Sequence, residues 1–153
     1  MTNEIIREVQ KTDRKKCLEI IITCLREVNR KNYSSKFIKY LVKSYSKNFM
    51  KRPDIYTIVI EKEGDLIGTG SISDLGQVRD VYVMISKHRK GYGTKLVKKL
   101  ESEAKRKKIK ELFLYSAISA VSFYKNLGYA KTGQLDHGNE DIETRMEKIL
   151  EWE

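Results

Sequence analysis

Two glycines between a predicted strand and a predicted helix form the part of this sequence best suited to chemistry. Gly91 and Gly93 follow a strand-like run that begins at Val81, and a helical pattern starts directly after them. Glycine lets the backbone approach a ligand closely, and the first amides of a helix have no partners within the helix. Such amides bind phosphate with the helix dipole behind them, and the Thr94 hydroxyl could add a donor. The turn therefore predicts a pyrophosphate-binding site.

The spacing of these glycines excludes two common phosphate-binding motifs. A P-loop requires a Lys-Ser or Lys-Thr pair after its second glycine, and none follows Gly93. A dinucleotide fingerprint requires three glycines. Many helices also begin after a glycine for steric reasons alone, so the turn by itself does not identify its ligand.

Two segments resemble the GCN5-related N-acetyltransferase (GNAT) superfamily. The segment from His88 to Gly93 is similar to its acetyl-CoA signature, which is Gln or Arg, two residues, Gly, one residue, and Gly or Ala; His88 alone departs from it. The segment from Ser119 to Tyr129 is similar to a later family motif, with its Phe-Tyr pair and its Leu-Gly-aromatic close. The resemblance implies an α/β GNAT acyl-CoA N-acyltransferase fold, a mixed central sheet of about seven strands flanked by about four helices.

Acetyl-CoA, or coenzyme A after transfer, is the co-substrate that this resemblance implies. The family often has an asparagine that contacts the pantetheine where this chain has Ala117, with Ser116 nearby. The residues that the resemblance assigns to cofactor binding are Val81, Tyr82, Val83, Arg89, Lys90, Gly91, Tyr92, Gly93, Thr94, Ser119 and Phe123.

Catalysis by a GNAT enzyme needs a proton acceptor for the amine and a proton donor for the departing thiolate. An alkyl ammonium has a pKa near ~10.4, so attack at neutral pH requires removal of its proton. The resemblance implies that Tyr124 is the general acid. Some family members have a glutamate as the base where this chain has Gln77, which leaves Asp80 and the turn residue Asp74 as acidic candidates.

The acceptor amine is the least determined part of the prediction. The fold implies that it enters between the first two helices and the last two strands, where Tyr33, Tyr45, Gln77 and His137 could line its path. A protein N-terminus, a lysine, a polyamine, an aminoglycoside and an amino acid all remain open, as does a longer acyl group. Two histidines far apart in sequence do not predict a metal site.

Hydrophobic periodicity and turn residues predict the elements that would position these groups. Thr12 or Asp13 is expected to cap the first helix, and Ser34 or Ser35 the second. Ser119 is expected to cap a short fourth helix that ends at Gly128. The expected strands are residues 5–9, 56–60, 66–72, 78–83, 112–115, 129–133 and 142–149. The first helix is expected to carry an apolar stripe from Cys17 to Val28, the second to end before Pro53, and the third to run from Gly91 onward and stop near Lys108.

Composition narrows the class of protein further. A chain of 153 residues, 40% apolar, predicts a single domain over residues 1–153. Cys17 and Cys24 fit one helix face and form no disulfide or metal-binding pattern, which favours a reducing, cytoplasmic location. No apolar run approaches the roughly 20 residues needed to cross a bilayer, so no membrane partner is expected.

The formal charge of +10 permits an anionic partner. No helix-turn-helix, zinc or RNP-like pattern accompanies the charge, so a nucleic-acid-binding module is the less favoured alternative. A second alternative is a non-catalytic coenzyme A sensor or adaptor, because Gln77 and Ala117 depart from the family pattern. A homodimer is left open.

Overall fold

Four α-helices and seven β-strands make up the computed structural model, which describes residues 3–151. Helices α1 and α2 pack on one face of the strands, and α3 and α4 pack on the other. The helices are α1 (Arg14–Glu27), α2 (Ser35–Asn48), α3 (Tyr92–Arg106) and α4 (Val121–Asn126). The strands are β1 (Glu4–Glu8), β2 (Ile55–Lys62), β3 (Asp65–Ser73), β4 (Val78–Val83), β5 (Glu111–Ser116), β6 (Ala130–Asp136) and β7 (Ile142–Ile149).

Alternation of side chains across the strands accounts for these two layers. In β2, Ile58 and Ile60 pack with the core under α3, whereas Val59 between them packs with the core under α1 and α2. The buried positions of α1 recur at helical spacing and give it one apolar face. They are Cys17, Ile20, Ile21, Cys24 and Leu25.

Strands β1 to β4 form an antiparallel sheet in sequence order, and β5, β7 and β6 form a second antiparallel sheet. A parallel bridge between Gln77 and Phe113 joins the two sheets. The Phe113 amide donates to the Gly76 carbonyl at 3.0 Å in the same place. Beyond this junction β4 and β5 have no further pairing in the described chain, so a cleft opens between them.

Gly76 is required at this junction for two independent reasons. Its φ of 91° lies in the left-handed region, and an added Cβ would overlap the carbonyl oxygen of Glu111. A side chain at this position would therefore push β5 away from β4 and disturb the closed end of the cleft.

The structure confirms the predicted α/β fold and most of its elements, with corrections at two helix starts. Ser34 caps α2 as expected, because its hydroxyl accepts from the Phe37 amide. The Asp13 carboxylate instead accepts from the Gln10 amide at 2.7 Å and closes a short 3-10 turn before α1. Ser119 lies within another 3-10 turn, Ile118–Ala120, and does not cap α4.

None of the helices in residues 3–151 has the length and apolar character needed to cross a membrane.

Candidate active site

Strand β4 carries a bulge beside the cleft. Arg79 pairs with Ser71 and Tyr82 pairs with Thr69, so two residues of β4, Asp80 and Val81, stand opposite one residue of β3. Asp80 has a φ of 58°, a conformation in which aspartate and asparagine are enriched. Bulges redirect side chains and interrupt regular pairing. Here the bulge places the Asp80 carboxylate at the cleft.

The Val83 peptide groups are turned toward the cleft by strand alternation. The Met84 amide donates to the Ile67 carbonyl of β3 at 2.8 Å. Because peptide groups alternate in direction along a strand, the N–H and C=O groups of Val83 point away from β3. The Val83 carbonyl oxygen accepts a hydrogen bond from Cys24 Sγ at 3.2 Å and lies within hydrogen-bonding distance, 2.7 Å, of His88 Nε2. His88 thus has a structural contact in the position where it departs from the family signature.

The glycine turn leads into the N-terminus of α3. Gly91 has a φ of 88°, and the amides of Tyr92, Gly93 and Thr94 that follow it are first-turn amides without helical partners. A Cβ on Gly93 would lie 3.2 Å from Phe123 Cζ, so a larger residue there would require the Phe123 ring to shift. The turn therefore presents a concentrated set of donors, as predicted.

Basic side chains stand next to these donors. Arg89 and Lys90 are exposed, and neither forms a hydrogen bond or ion pair with any residue in the described part of the chain. Such free positive charges beside a helix N-terminus favour a bound phosphate.

The side chains of three residues predicted to bind the cofactor differ in how free they are to contact a ligand. The Tyr92 ring is buried and its hydroxyl accepts from Lys62 Nζ at 2.8 Å, which leaves only its backbone amide for a ligand. The Thr94 hydroxyl is half-buried and unbonded among residues 3–151. Ser119 lies outside the cleft lining, where its hydroxyl accepts from the Asn32 side chain at 3.0 Å.

The cleft between the two sheets holds a cavity of about 260 Å³, which we call the β4–β5 cavity. Its lining includes Gln77, at the strand junction, and Tyr33, both of which were predicted to bind the acceptor. The lining also includes Val81, Tyr82, Ala117 and Tyr124.

A second cavity of about 240 Å³, the α2–β7 cavity, lies between α2, β2 and the loop that joins β6 to β7. Its lining includes Phe37, Tyr40, Phe49, Arg52 and His137. The two cavities share Leu41, Tyr45, Arg79, Asp80 and Glu143. Asp80 therefore stands where the two cavities meet.

Asp80 is held by two neighbours. The Tyr45 hydroxyl donates to its Oδ1 at 2.9 Å, and Arg79 Nε donates to its Oδ2 at 3.2 Å. Tyr45 and Tyr82 also share a hydrogen bond of 3.3 Å between their hydroxyls. Burial, and then the charge of Asp80, raises the pKa of Tyr45 well above its usual value, so this phenol stays a donor.

Tyr124 faces the β4–β5 cavity from α4. Its ring packs against Phe123 and Tyr129, with centroids 4.9 Å and 5.8 Å away. Its hydroxyl bonds to no residue in the described range. Burial raises the pKa of Tyr124, and the negative charge of Asp80 adds to the increase. The phenol is therefore protonated at neutral pH and available to donate.

His137 stands at the tip between β6 and β7. Its Nε2 lies 2.8 Å from Glu143 Oε1, and its ring centroid is 4.5 Å from that of Phe37. The neighbouring Asp141 is buried and accepts the amide of Ser34 at 2.6 Å and its hydroxyl at 2.5 Å. The tip is thereby fastened to the start of α2, which closes one wall of the α2–β7 cavity.

Two charged residues that both cavities share, Arg79 and Glu143, escaped prediction. Arg79 carried a signal in the sequence, because it directly precedes Asp80 in the strand that leads to the glycine turn. Glu143 carried none, since its pairing with His137 depends on the register of the last hairpin. The other candidate base, Asp74, is an exposed turn residue 4.0 Å from Lys107 Nζ and lines neither of the two cavities.

Known proteins share both this fold and this sequence pattern. The family model described as "Acetyltransferase (GNAT) domain" matches residues 19–150. An uncharacterized acetyltransferase of Streptococcus pyogenes is 37% identical over 65 residues, which is 41% of this chain and 44% of the relative. The match thus spans less than half of that relative's length.

Two solved structures show the same fold along nearly the whole chain. A GCN5-related N-acetyltransferase of Rhodopseudomonas palustris superposes with a TM-score of 0.87 at 18% identity, covering 97% of this chain and 96% of the other. The PaiA N-acetyltransferase of Thermoplasma acidophilum, solved in complex with coenzyme A, gives 0.82 at 19% identity, covering 97% and 99%.

The fold is shared with solved N-acetyltransferases, and the match to the family model assigns the chain to a family. Because the family model covers most of its length, the chain belongs to the GNAT acetyltransferase family. The predicted family is confirmed.

Proposed function

We propose that this protein transfers the acetyl group of acetyl-CoA directly to the amine of a small acceptor. The cofactor would bind along β4, with its pyrophosphate on the first amides of α3 and its thioester in the β4–β5 cavity. The acceptor would bind in the α2–β7 cavity. The observation that carries this proposal is the meeting of the two cavities at Asp80.

Peptide groups of β4 would stabilise the charge that develops during attack. When the amine nitrogen bonds to the thioester carbon, the carbonyl oxygen becomes negative, and a fixed amide aimed at it lowers the barrier without reorganisation. The Val83 amide suits this role, since strand alternation turns it away from β3 and toward the cleft, and the Val83 carbonyl is already held by Cys24 and His88.

Two side chains would move the protons. Asp80 would take the proton of the attacking ammonium, directly or through one water, from its position between the cavities. Tyr124 would give its proton to the thiolate that leaves when the carbon–sulfur bond breaks.

The experiment that tests the proposal is a screen of amines with acetyl-CoA, read as release of free thiol with and without each acceptor. We expect acceptor-dependent release with at least one class of small amine. Coenzyme A should also raise the thermal midpoint, since a ligand at about 100 times its dissociation constant stabilises the folded state by about 2.7 kcal/mol.

The two readouts separate catalysis from binding alone. A thermal shift without thiol release for any amine class would support a coenzyme A sensor and contradict the transferase. Absence of both responses would contradict the cofactor assignment itself.

A further inference from the structure

We propose that the acceptor is an α-amino acid with an apolar side chain, and that Arg79 binds its carboxylate. This inference rests on the proposed transferase activity and adds a substrate class and a specificity residue to it. The observation behind it is a free guanidinium edge beside the Asp80 carboxylate, at the junction of the two cavities.

Arg79 has unused donors. Its Nε donates to Asp80 Oδ2 at 3.2 Å, whereas its two Nη atoms bond to no residue in the described range. The side chain is 31% exposed and lines both cavities. Arg52, at the same α2–β7 cavity, differs because its Nε and Nη2 both bind the Asp54 carboxylate. The two Nη atoms of Arg79 thus form a planar pair of donors at the cavity, with a geometry suited to a carboxylate.

Asp80 and Arg79 together match the two charges of an α-amino acid. In such a molecule the ammonium and the carboxylate are attached to one carbon, so their binding groups must also be adjacent. The two side chains are neighbours in sequence and in contact in space. The ammonium would meet Asp80, the proposed base, while the carboxylate meets the Nη atoms of Arg79. Fixing both charges would orient the nitrogen for attack.

The rest of the α2–β7 cavity suits an apolar side chain of limited size. Phe37, Leu41, Phe49, Met50 and Ile55 supply apolar wall. The volume of about 240 Å³ is below the roughly 300 Å³ at which sites for drug-sized ligands begin. This size favours a single amino acid over an aminoglycoside.

Charge also disfavours a polyamine, the rival class of small acceptor. The Glu143 carboxylate that could attract a second ammonium is in contact with His137. The formal charge of +10 on the chain repels a polycation at long range and attracts an anionic group. A zwitterionic acceptor avoids this penalty.

The test compares each amino acid with analogues that lack the carboxylate charge or the whole carboxylate group. Thiol release would be measured for leucine, leucinamide and isoamylamine, for phenylalanine and phenethylamine, and for spermidine. We expect kcat/KM to be higher for each amino acid than for its uncharged or decarboxylated analogue. In Arg79→Met that preference should fall about 10- to 100-fold, mainly through the KM of the amino acid, as expected for loss of a charged hydrogen bond.

Matched variants separate carboxylate binding from general disturbance of the site. Arg52→Met removes a guanidinium of the same cavity that is already bound to Asp54, and it should leave the preference ratio unchanged. Arg79→Lys retains the positive charge but loses the planar pair of N–H donors. Its preference ratio should therefore lie between those of the wild type and Arg79→Met. A coenzyme A thermal shift in each variant verifies that it folds.

Failure of the inference and failure of the proposed function give different results. Thiol release that favours leucinamide, spermidine or isoamylamine over leucine would overturn the inference and leave the transferase intact. Equal losses for leucine and isoamylamine in Arg79→Met would overturn the role of Arg79. No thiol release with any amine would overturn both.

Discussion

The glycine turn with the strand that leads to it and the α2–β7 cavity are built from different groups. The turn offers peptide amides at the start of α3. The α2–β7 cavity offers side chains, among them Arg79, Tyr45 and the His137–Glu143 pair. Peptide groups suit a ligand common to a whole family, whereas side chains can change while the backbone stays. We therefore expect cofactor binding and acceptor choice to be separable by mutation.

The largest effect should follow from a charge placed in the glycine turn. Gly91→Glu should abolish coenzyme A binding, because a carboxylate would occupy the anion site at the start of α3. Gly64→Glu is the matched control, since both glycines have positive φ and neither has a neighbour within 4 Å of an added Cβ. Calorimetry should show normal affinity in the control. Equal affinity in both variants would contradict the site.

The next largest effect concerns the carboxylate at which the cavities meet. Asp80→Asn should lower turnover by about 10²–10⁴-fold, because an amide cannot accept the proton of the amine. Asparagine tolerates the positive φ of this position, and its oxygen can still accept from Tyr45. The thermal shift with coenzyme A should therefore persist. Turnover close to that of the wild type would exclude Asp80 as the base.

Tyr124→Phe should lower turnover by about 10²-fold with little change in coenzyme A affinity, since only the hydroxyl is removed. The pKa of Tyr124 is raised, so the wild type should not lose activity through this group at any pH below its ordinary value of about 10. A smaller loss would mean that thiolate protonation does not limit the rate. A collapse of affinity would assign Tyr124 to binding instead.

Substitution of each of the two histidines should have the smallest effect on ligand binding. His88→Ala removes the contact with the Val83 carbonyl and should weaken coenzyme A binding about 5-fold, as for one hydrogen bond. His137→Ala should leave that affinity unchanged and raise the KM of the acceptor. Titration calorimetry and acceptor kinetics on both variants are the measurements. An effect of either variant on both ligands would show that the cavities are coupled.

The sequence predicted the fold and the place of the glycine turn, but not the side-chain contacts around that turn. Glycine spacing and strand periodicity are local signals, so the turn at Gly91 and the strand that precedes it were identified correctly. The contacts of Ser119 and Tyr92 depend on residues far along the chain, and no local pattern reveals them. The prediction of a single domain over residues 1–153 stays a prediction.

The hydrogen bonds of Asp141 have a consequence for how the range of accepted amines can change. Asp141 holds Ser34 of the α2 cap, and its own backbone closes the tip through hydrogen bonds with His137 and Gly138. Residues 137–140 are thus anchored at their base and exposed along their length. These residues could therefore be replaced by a different loop sequence between the same anchoring hydrogen bonds. Such a replacement would change one wall of the acceptor cavity and leave the cofactor-binding turn unchanged.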